Sequence, residues 1–181
     1  MPEPGDTRTA YAGRWLRVDI ESWPGFEPYE VVYQHDAAGV LPVTPAGDVI
    51  LVKQFRPPVR QVLTEIPAGK LDVEGEDALS CAARELFEET GYRHRTIEFL
   101  AGYYSSAGCM GEYVHMFWAL TESEPEADPE EGIEVVLVPF ERMLDAARSG
   151  KIRDVKTAMA LLLAPARAFP EPRRGGEAMQ P

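Results

Sequence analysis

The stretch Gly69-Lys70-Leu71-Asp72-Val73-Glu74-Gly75-Glu76, running on to Arg84-Glu85-Leu86-Phe87-Glu88-Glu89-Thr90-Gly91-Tyr92, decides how this chain is read. Acids lead into a periodic segment, Glu76 to Thr90, and Gly91 stands just after it, where helices commonly end on a left-handed residue. On a helix each residue advances by about 100°. With Glu85 at zero, Glu89 falls near ~40° and Glu88 near ~−60°, while Leu79, Ala83, Leu86 and Thr90 gather between roughly 100° and 160°. The segment predicts a helix over 76–90, with acids in its first turn and an apolar stripe to bury. Flanking the stripe, Glu85, Glu88 and Glu89 project together from one side. Like charges at this spacing repel by ~0.2–0.5 kcal/mol per pair. Cations relieve that repulsion, and hard oxygen ligands favour Mg²⁺ or Mn²⁺.

Outward from this helix the chain is strand-rich. Arg14 to Ile20, Tyr29 to Tyr33, His35 to Val43, Asp48 to Gln54 and the short Leu63 to Ile66 read as strands, with turn signals at Trp23-Pro24-Gly25 and Pro45-Ala46-Gly47-Asp48. Beyond the helix, Ile97 to Tyr104 and Val114 to Leu120 read as strands around an irregular loop, Ser105 to Gly111. The acidic, Pro-bearing stretch Thr121 to Gly132 reads as a surface loop. Val135 to Val138 is a last strand, with helices over Phe140 to Ser149 and Val155 to Arg167. Residues 1–10 read as a loose end, and the Pro, Gly and Arg content from Pro170 onward reads as a flexible tail.

Composition bounds the function. A chain of 181 residues fits one compact domain, or one with a small appendage. A hydrophobic share of 45% against 27% charged residues excludes a wholly disordered chain. Apolar runs such as Val49 to Val52 are far shorter than the roughly 20 residues of a membrane span, and Met1 to Asp6 is no secretory signal. Cys81 and Cys109 cannot make a disulfide framework, so a soluble cytoplasmic protein with no membrane partner is expected. Thirty acids against 18 bases give a formal net charge of −12, which argues against a nucleic-acid partner. An anionic substrate would need cations to reverse the local sign.

A Glu-rich helix face is in general simply solvated. Here the order of residues says more. Glu76, seven residues, Arg84-Glu85-Leu86, one residue, Glu88-Glu89, one residue, Gly91-Tyr92 resembles the signature box of the Nudix hydrolases, in which five residues separate a glycine from the first glutamate. Six residues separate Gly69 from Glu76 here, and Tyr92 replaces the usual aliphatic residue. The extra residue falls before the helix, so the register from Glu76 to Glu89 is intact.

The resemblance, which spans about Arg14 to Ala164, implies an α/β (α+β) Nudix fold: a mixed β-sheet sandwiched between helices, with an N-terminal antiparallel strand subdomain. The expected division is 1–35 for the strand segment and dimerisation, 36–169 for the Nudix domain and 170–181 for the tail. It implies metal binding by Glu85, Glu88, Glu89 and the backbone carbonyl of Ala68, with Mg²⁺ (or Mn²⁺) as the cofactor. Arg84 is expected to orient a neighbouring glutamate rather than touch substrate, and Glu76 to be structural. The implied reaction is attack of a metal-activated water on a phosphorus of a diphosphate.

The flanks Gln54-Phe55-Arg56-Pro57, Glu65-Ile66-Pro67-Ala68-Gly69 and Ser106 to Glu112 look like the ADP-ribose pyrophosphatase branch. That likeness makes Glu112 the expected general base, with Glu88 as the alternative, and assigns Arg56 and Glu65 to substrate binding. The expected substrate is ADP-ribose or a related nucleoside diphosphate sugar. Ala107 stands where the branch usually has proline, which points toward ADP-glucose, GDP-mannose or other such sugars. The branch also pairs two subunits through its N-terminal strands, so a homodimer is expected, with Trp23 stacking on the base. The alternatives are a Nudix hydrolase for FAD, diadenosine polyphosphate or CoA, a non-catalytic nucleotide-sugar sensor, or an isomerase of the same fold. Cys109 has no recognisable base beside it, and His35, His94 and His115 have no metal spacing.

Overall fold

The computed structural model describes residues 3–164. Strands β1 (Thr7–Ala12), β2 (Arg17–Glu21) and β3 (Tyr29–Tyr33) form an antiparallel three-stranded sheet. Then come β4 (Ala37–Val43), β5 (Asp48–Arg56), β6 (Gln61–Glu65), β7 (Ala68–Lys70) and helix α1 (Ala78–Thr90). Strands β8 (His94–Tyr104), β9 (Tyr113–Thr121) and β10 (Glu134–Pro139) precede helices α2 (Phe140–Arg148) and α3 (Val155–Leu163). The second sheet runs β10-β5-β4-β9-β8, with β6 on β5 and β7 on β4. Its central pair β4–β9 is parallel and its other pairs antiparallel, so the sheet is mixed.

Every residue of β4 is buried, as both faces of a covered central strand must be. Side-chain alternation sends Ala38, Val40, Ile50, Phe117 and Ala119 to one face, against Cys81, Ala82 and Leu86 of α1. Leu41, Val49, Leu51, Val114 and Met116 go to the other, against Phe140 and Met143 of α2 and Ala160 and Leu161 of α3. The sheet is thus sandwiched between α1 and the α2/α3 pair.

Two strands were not expected from sequence. All of β1 is exposed, so no alternation marks it, and what was read as a loose end pairs with β2. β7 is three residues long, and only its pairing with the start of β4 defines it.

Helix α1 begins later than its acids suggest. Asp77 is the N-cap, its carboxylate accepting the Ser80 N–H at 2.7 Å, and no acid lies within the first turn. At the other end Gly91 adopts φ 75° and donates its N–H to the Phe87 carbonyl. A Cβ there would meet the Ala127 carbonyl oxygen at 1.9 Å, so only glycine fits. The buried face also differs from the periodicity. Cys81, Ala82, Leu86, Glu89 and Thr90 are buried, whereas Leu79 is exposed. That arc runs from ~−40° to ~140° on the wheel and contains Glu85 and Glu89. Those carboxylates sit inside the packing face because α1 lies over β7 as well as over the sheet.

Among the described residues helix α3 runs to Leu163. The last residues of the helix expected to 167, and the tail from 170, lie outside the described residues.

Candidate active site

Arg84 organises one side of the site. Its Nε and Nη2 donate to the two carboxylate oxygens of Glu76 at 2.8 and 2.9 Å, and its Nη1 donates to Glu85 at 2.7 Å and Glu88 at 2.9 Å. The bond to Arg84 holds the Glu76 carboxyl below the usual range. In return the three carboxylates, Glu76 foremost, raise the arginine's own pKa. Arg84 thus bridges three carboxylates at once. The fork to Glu76 also anchors the loop from Gly69, so its extra residue leaves the helix register untouched.

Glu85 and Glu89 point inward. Burial raises the Glu85 pKa despite the hydrogen bond from Arg84. Its carboxylate presses on β7 so closely that a Cβ at Gly69 would lie 1.9 Å from Oε1, which explains the box glycine. Glu89 is 6% exposed, and its carboxylate accepts the Ala68 N–H at 3.1 Å. Burial pushes its pKa up to about 7, opposed by that hydrogen bond and reinforced by the charge of Glu85.

Glu130 also bears on both acids, its charge raising the pKa of each. It arrives because the loop after β9 folds back along the C-terminal end of α1, with Glu130 N–H donating to the Glu88 carbonyl and Glu126 N–H to the Gly91 carbonyl. Sequence reading missed Glu130, since nothing distinguishes it within a run of loop acids.

The donor set fits a hard divalent cation. The Glu85 and Glu89 carboxylates and the adjoining Ala68 carbonyl offer only oxygen, the donor a hard divalent cation prefers. Among the described residues no three acidic, histidine or cysteine side chains already close around one point. Arg84 engages Glu85 and Glu88, and the half-exposed Glu88 is the outermost of the three.

Beside β7 opens a cavity of about 350 Å³ lined by Arg56, Ala68, Gly69, Lys70, Tyr103, Ser105, Glu112, Val114, Val155 and Lys156 among others. It brings the expected Arg56, Ala68 and Glu112 together from three separate segments. Arg56 grips the buried Glu65 through two hydrogen bonds of 2.8 and 2.7 Å, which raise the arginine's pKa. Both Glu65 oxygens are thereby taken up by Arg56, and Glu65 also accepts from Lys156 at 3.2 Å. Lys156 donates in turn to Asp154 at 2.6 Å. Burial opposes ionisation of Asp154, yet Lys156 and Thr157 together hold its carboxyl below the usual range. Tyr103, Ser105, Lys70 and Lys156 were not foreseen; the one signal that could have marked the start of α3 is Asp154, whose side chain caps the Thr157 N–H.

Glu112 accepts the Ser105 hydroxyl at 2.5 Å. Its loop is moored to the N-terminal sheet: Tyr29 donates to the Gly108 carbonyl at 2.5 Å and the Val32 N–H to the Cys109 carbonyl at 2.7 Å. Trp23 does not line the cavity; its indole donates to the buried Glu21, which also accepts from Tyr33.

Three comparisons bear on this arrangement. The NUDIX domain model matches residues 33–158. The chain is 41% identical over 136 residues to the ADP-ribose pyrophosphatase of Bacillus subtilis (strain 168), covering 73% of each protein. It is 34% identical over 163 residues to the methanol dehydrogenase activator of Bacillus methanolicus, covering 86% of this chain and 88% of that one. It is 36% identical over 135 residues to a GDP-mannose pyrophosphatase of Yersinia pestis (strain Pestoides F), covering 68% and 67%. A crystal structure of an ADP compounds hydrolase superposes with a TM-score of 0.77 over 90% of this chain and 91% of that one; at 20% identity it speaks to the fold.

Proposed function

Because this chain belongs to the NUDIX domain family, we propose that it hydrolyses the diphosphate bond of ADP-ribose or a related nucleoside diphosphate sugar, giving a nucleoside monophosphate and a sugar phosphate. The observation that carries this reading is the single cavity that joins Arg56, Glu112 and the Ala68–Gly69 backbone beside the buried acids of α1. A nucleotide sugar needs both halves: a cation for its diphosphate and a base within reach of the water that cleaves it.

Glu85, Glu89 and the Ala68 carbonyl are the residues to hold a divalent cation, Mg²⁺ or Mn²⁺, with Glu88 at their edge. Such a cation, when bound, neutralises diphosphate charge and eases deprotonation of water. The chain's own part is positional. Arg84 keeps Glu85 and Glu88 aimed, and Arg56, stiffened by Glu65, donates to a diphosphate oxygen. Glu112 takes the proton of the attacking water at its carboxylate. The new phosphorus–oxygen bond forms as the bridging anhydride bond breaks, and the sugar phosphate leaves as an anion. All three box glutamates being present favours hydrolysis over ligand sensing. We further propose a homodimer through residues 1–35, with Trp23 offering a face to the base, in a cytoplasmic protein. Among the described residues no helix is long and apolar enough to cross a membrane.

The test is a panel of ADP-ribose, ADP-glucose, GDP-mannose, FAD, CoA and diadenosine polyphosphates with Mg²⁺ or Mn²⁺, scored by release of nucleoside monophosphate. Nucleotide sugars should lead. Turnover confined to FAD, CoA or dinucleotides would replace this reading, and no turnover at all would favour a sensor.

A further inference from the structure

Tyr103 lies on β8 directly across from Val114 of β9, and both line the cavity. Its ring packs against the core cluster beneath α2 and α3. Its hydroxyl is fully enclosed and has no hydrogen-bond partner among the described residues. Polar groups around it are already engaged: Arg56 with Glu65, Lys156 with Asp154 and Glu65, Ser105 with Glu112. An enclosed hydroxyl left unpaired is destabilising, and such groups in native proteins ordinarily have a use.

We infer that Tyr103 is a substrate-binding residue whose hydroxyl donates to a hydroxyl oxygen on the sugar half of the nucleoside diphosphate sugar, an inference that rests on the function proposed above. Charge decides between sugar and phosphate. Burial, with the charges of Asp154 and Glu112, keeps the Tyr103 proton in place, so the group is a standing donor. Those carboxylates disfavour a phosphate oxygen at the hydroxyl itself, while the cations of the same lining, Arg56, Lys70 and Lys156, favour one elsewhere in the cavity. A sugar hydroxyl is neutral, can accept from Tyr103 and has its own proton to give to a carboxylate. The diphosphate then lies toward Arg56, Ala68 and the acids of α1.

The experiment compares wild type with Tyr103→Phe on ADP-ribose and on the β-methyl ester of ADP, which keeps the anhydride and lacks the sugar. The variant should raise KM for ADP-ribose by roughly 10-fold, the size of one hydrogen bond, with kcat little changed. It should leave the methyl ester's kinetics as they were. Equal losses on both compounds, or none on either, overturn the inference. The thermal midpoint should hold, because no protein hydrogen bond is lost; a marked fall assigns the hydroxyl to structure instead. ADP-ribose binding in EDTA, read calorimetrically where no turnover runs, should weaken by the same factor. Equal affinity there defeats the inference by itself, whereas a wild-type protein that releases no monophosphate from any nucleotide sugar defeats the proposed function.

Discussion

Arg84 and Glu76 meet fork to fork, Nε to Oε1 at 2.8 Å and Nη2 to Oε2 at 2.9 Å, across the boundary between a loop and the helix that follows it. Glu76 stands one residue before the N-cap Asp77, so this pair closes the loop while leaving Nη1 free to hold Glu85 and Glu88. Lysine cannot reproduce that fork. Arg84→Lys should weaken divalent-cation affinity by about 10–100-fold, the usual effect of losing an orienting partner. Its thermal midpoint should move little, because the pairs are partly solvated. Metal titration of the variant checks this, and unchanged affinity would assign Arg84 to the surface.

Chelation should abolish activity, and Glu89→Gln should do nearly the same in the presence of metal. The amide oxygen of glutamine can still accept the Ala68 N–H, so the variant should fold. Circular dichroism and metal titration separate folding from ligation. Full turnover after exhaustive EDTA treatment, or wild-type metal affinity in the variant, rules out the ligand assignment.

Glu112→Gln should lower kcat by roughly 10²–10⁴-fold, the range for a general base, with KM nearly constant. Glutamine still accepts from Ser105, so the loop is kept. A loss of less than about fivefold falls well short of that range and moves the base elsewhere. Glu130, whose charge reaches Glu85 and Glu89, is then the first residue to replace, ahead of the Arg84-bound Glu88.

The box announced α1, and strand alternation announced most of the sheet, because both record burial at a fixed period. The same logic failed where burial is not periodic. β1 is exposed along its whole length, and β7 is three residues held by pairing alone. The wheel centred the apolar stripe between Leu79 and Thr90 and missed that Glu89 is itself in the interface, since no hydropathy scale expects a buried acid there. Arg56, Ala68 and Glu112 were readable because they lie in the motifs that flank the box. Lys156, Tyr103 and Glu130 come from segments with no such motif, and only the folded chain brings them to the site.

The three-stranded sheet leaves Tyr11, Trp15 and Phe26 exposed. Aromatic surface of this kind is typical of interfaces. Light scattering at micromolar concentration should therefore give twice the mass of the 20.1 kDa chain. Phe26→Asp should shift the population toward monomer. A wild-type monomer under these conditions removes the dimer from the proposal.

The two cysteines should react very differently, and the difference reports on the loop that carries Glu112. Cys81 is wholly buried on α1, its thiol directed at the Lys70 carbonyl, and burial pushes its pKa up to about 12. The thiolate is the reactive form, so Cys81 is scarce in it at neutral pH as well as shielded. Cys109 is exposed on the loop moored to β3 by its own carbonyl. Alkylation of the native protein should modify Cys109 alone, and in denaturant both. If the loop holds over the cavity when substrate binds, a slowly hydrolysed nucleotide sugar should retard alkylation of Cys109. A labelling rate indifferent to that ligand would leave Glu112 on a loop that does not follow substrate, and the base would have to be sought on α1 or on the Glu130 segment.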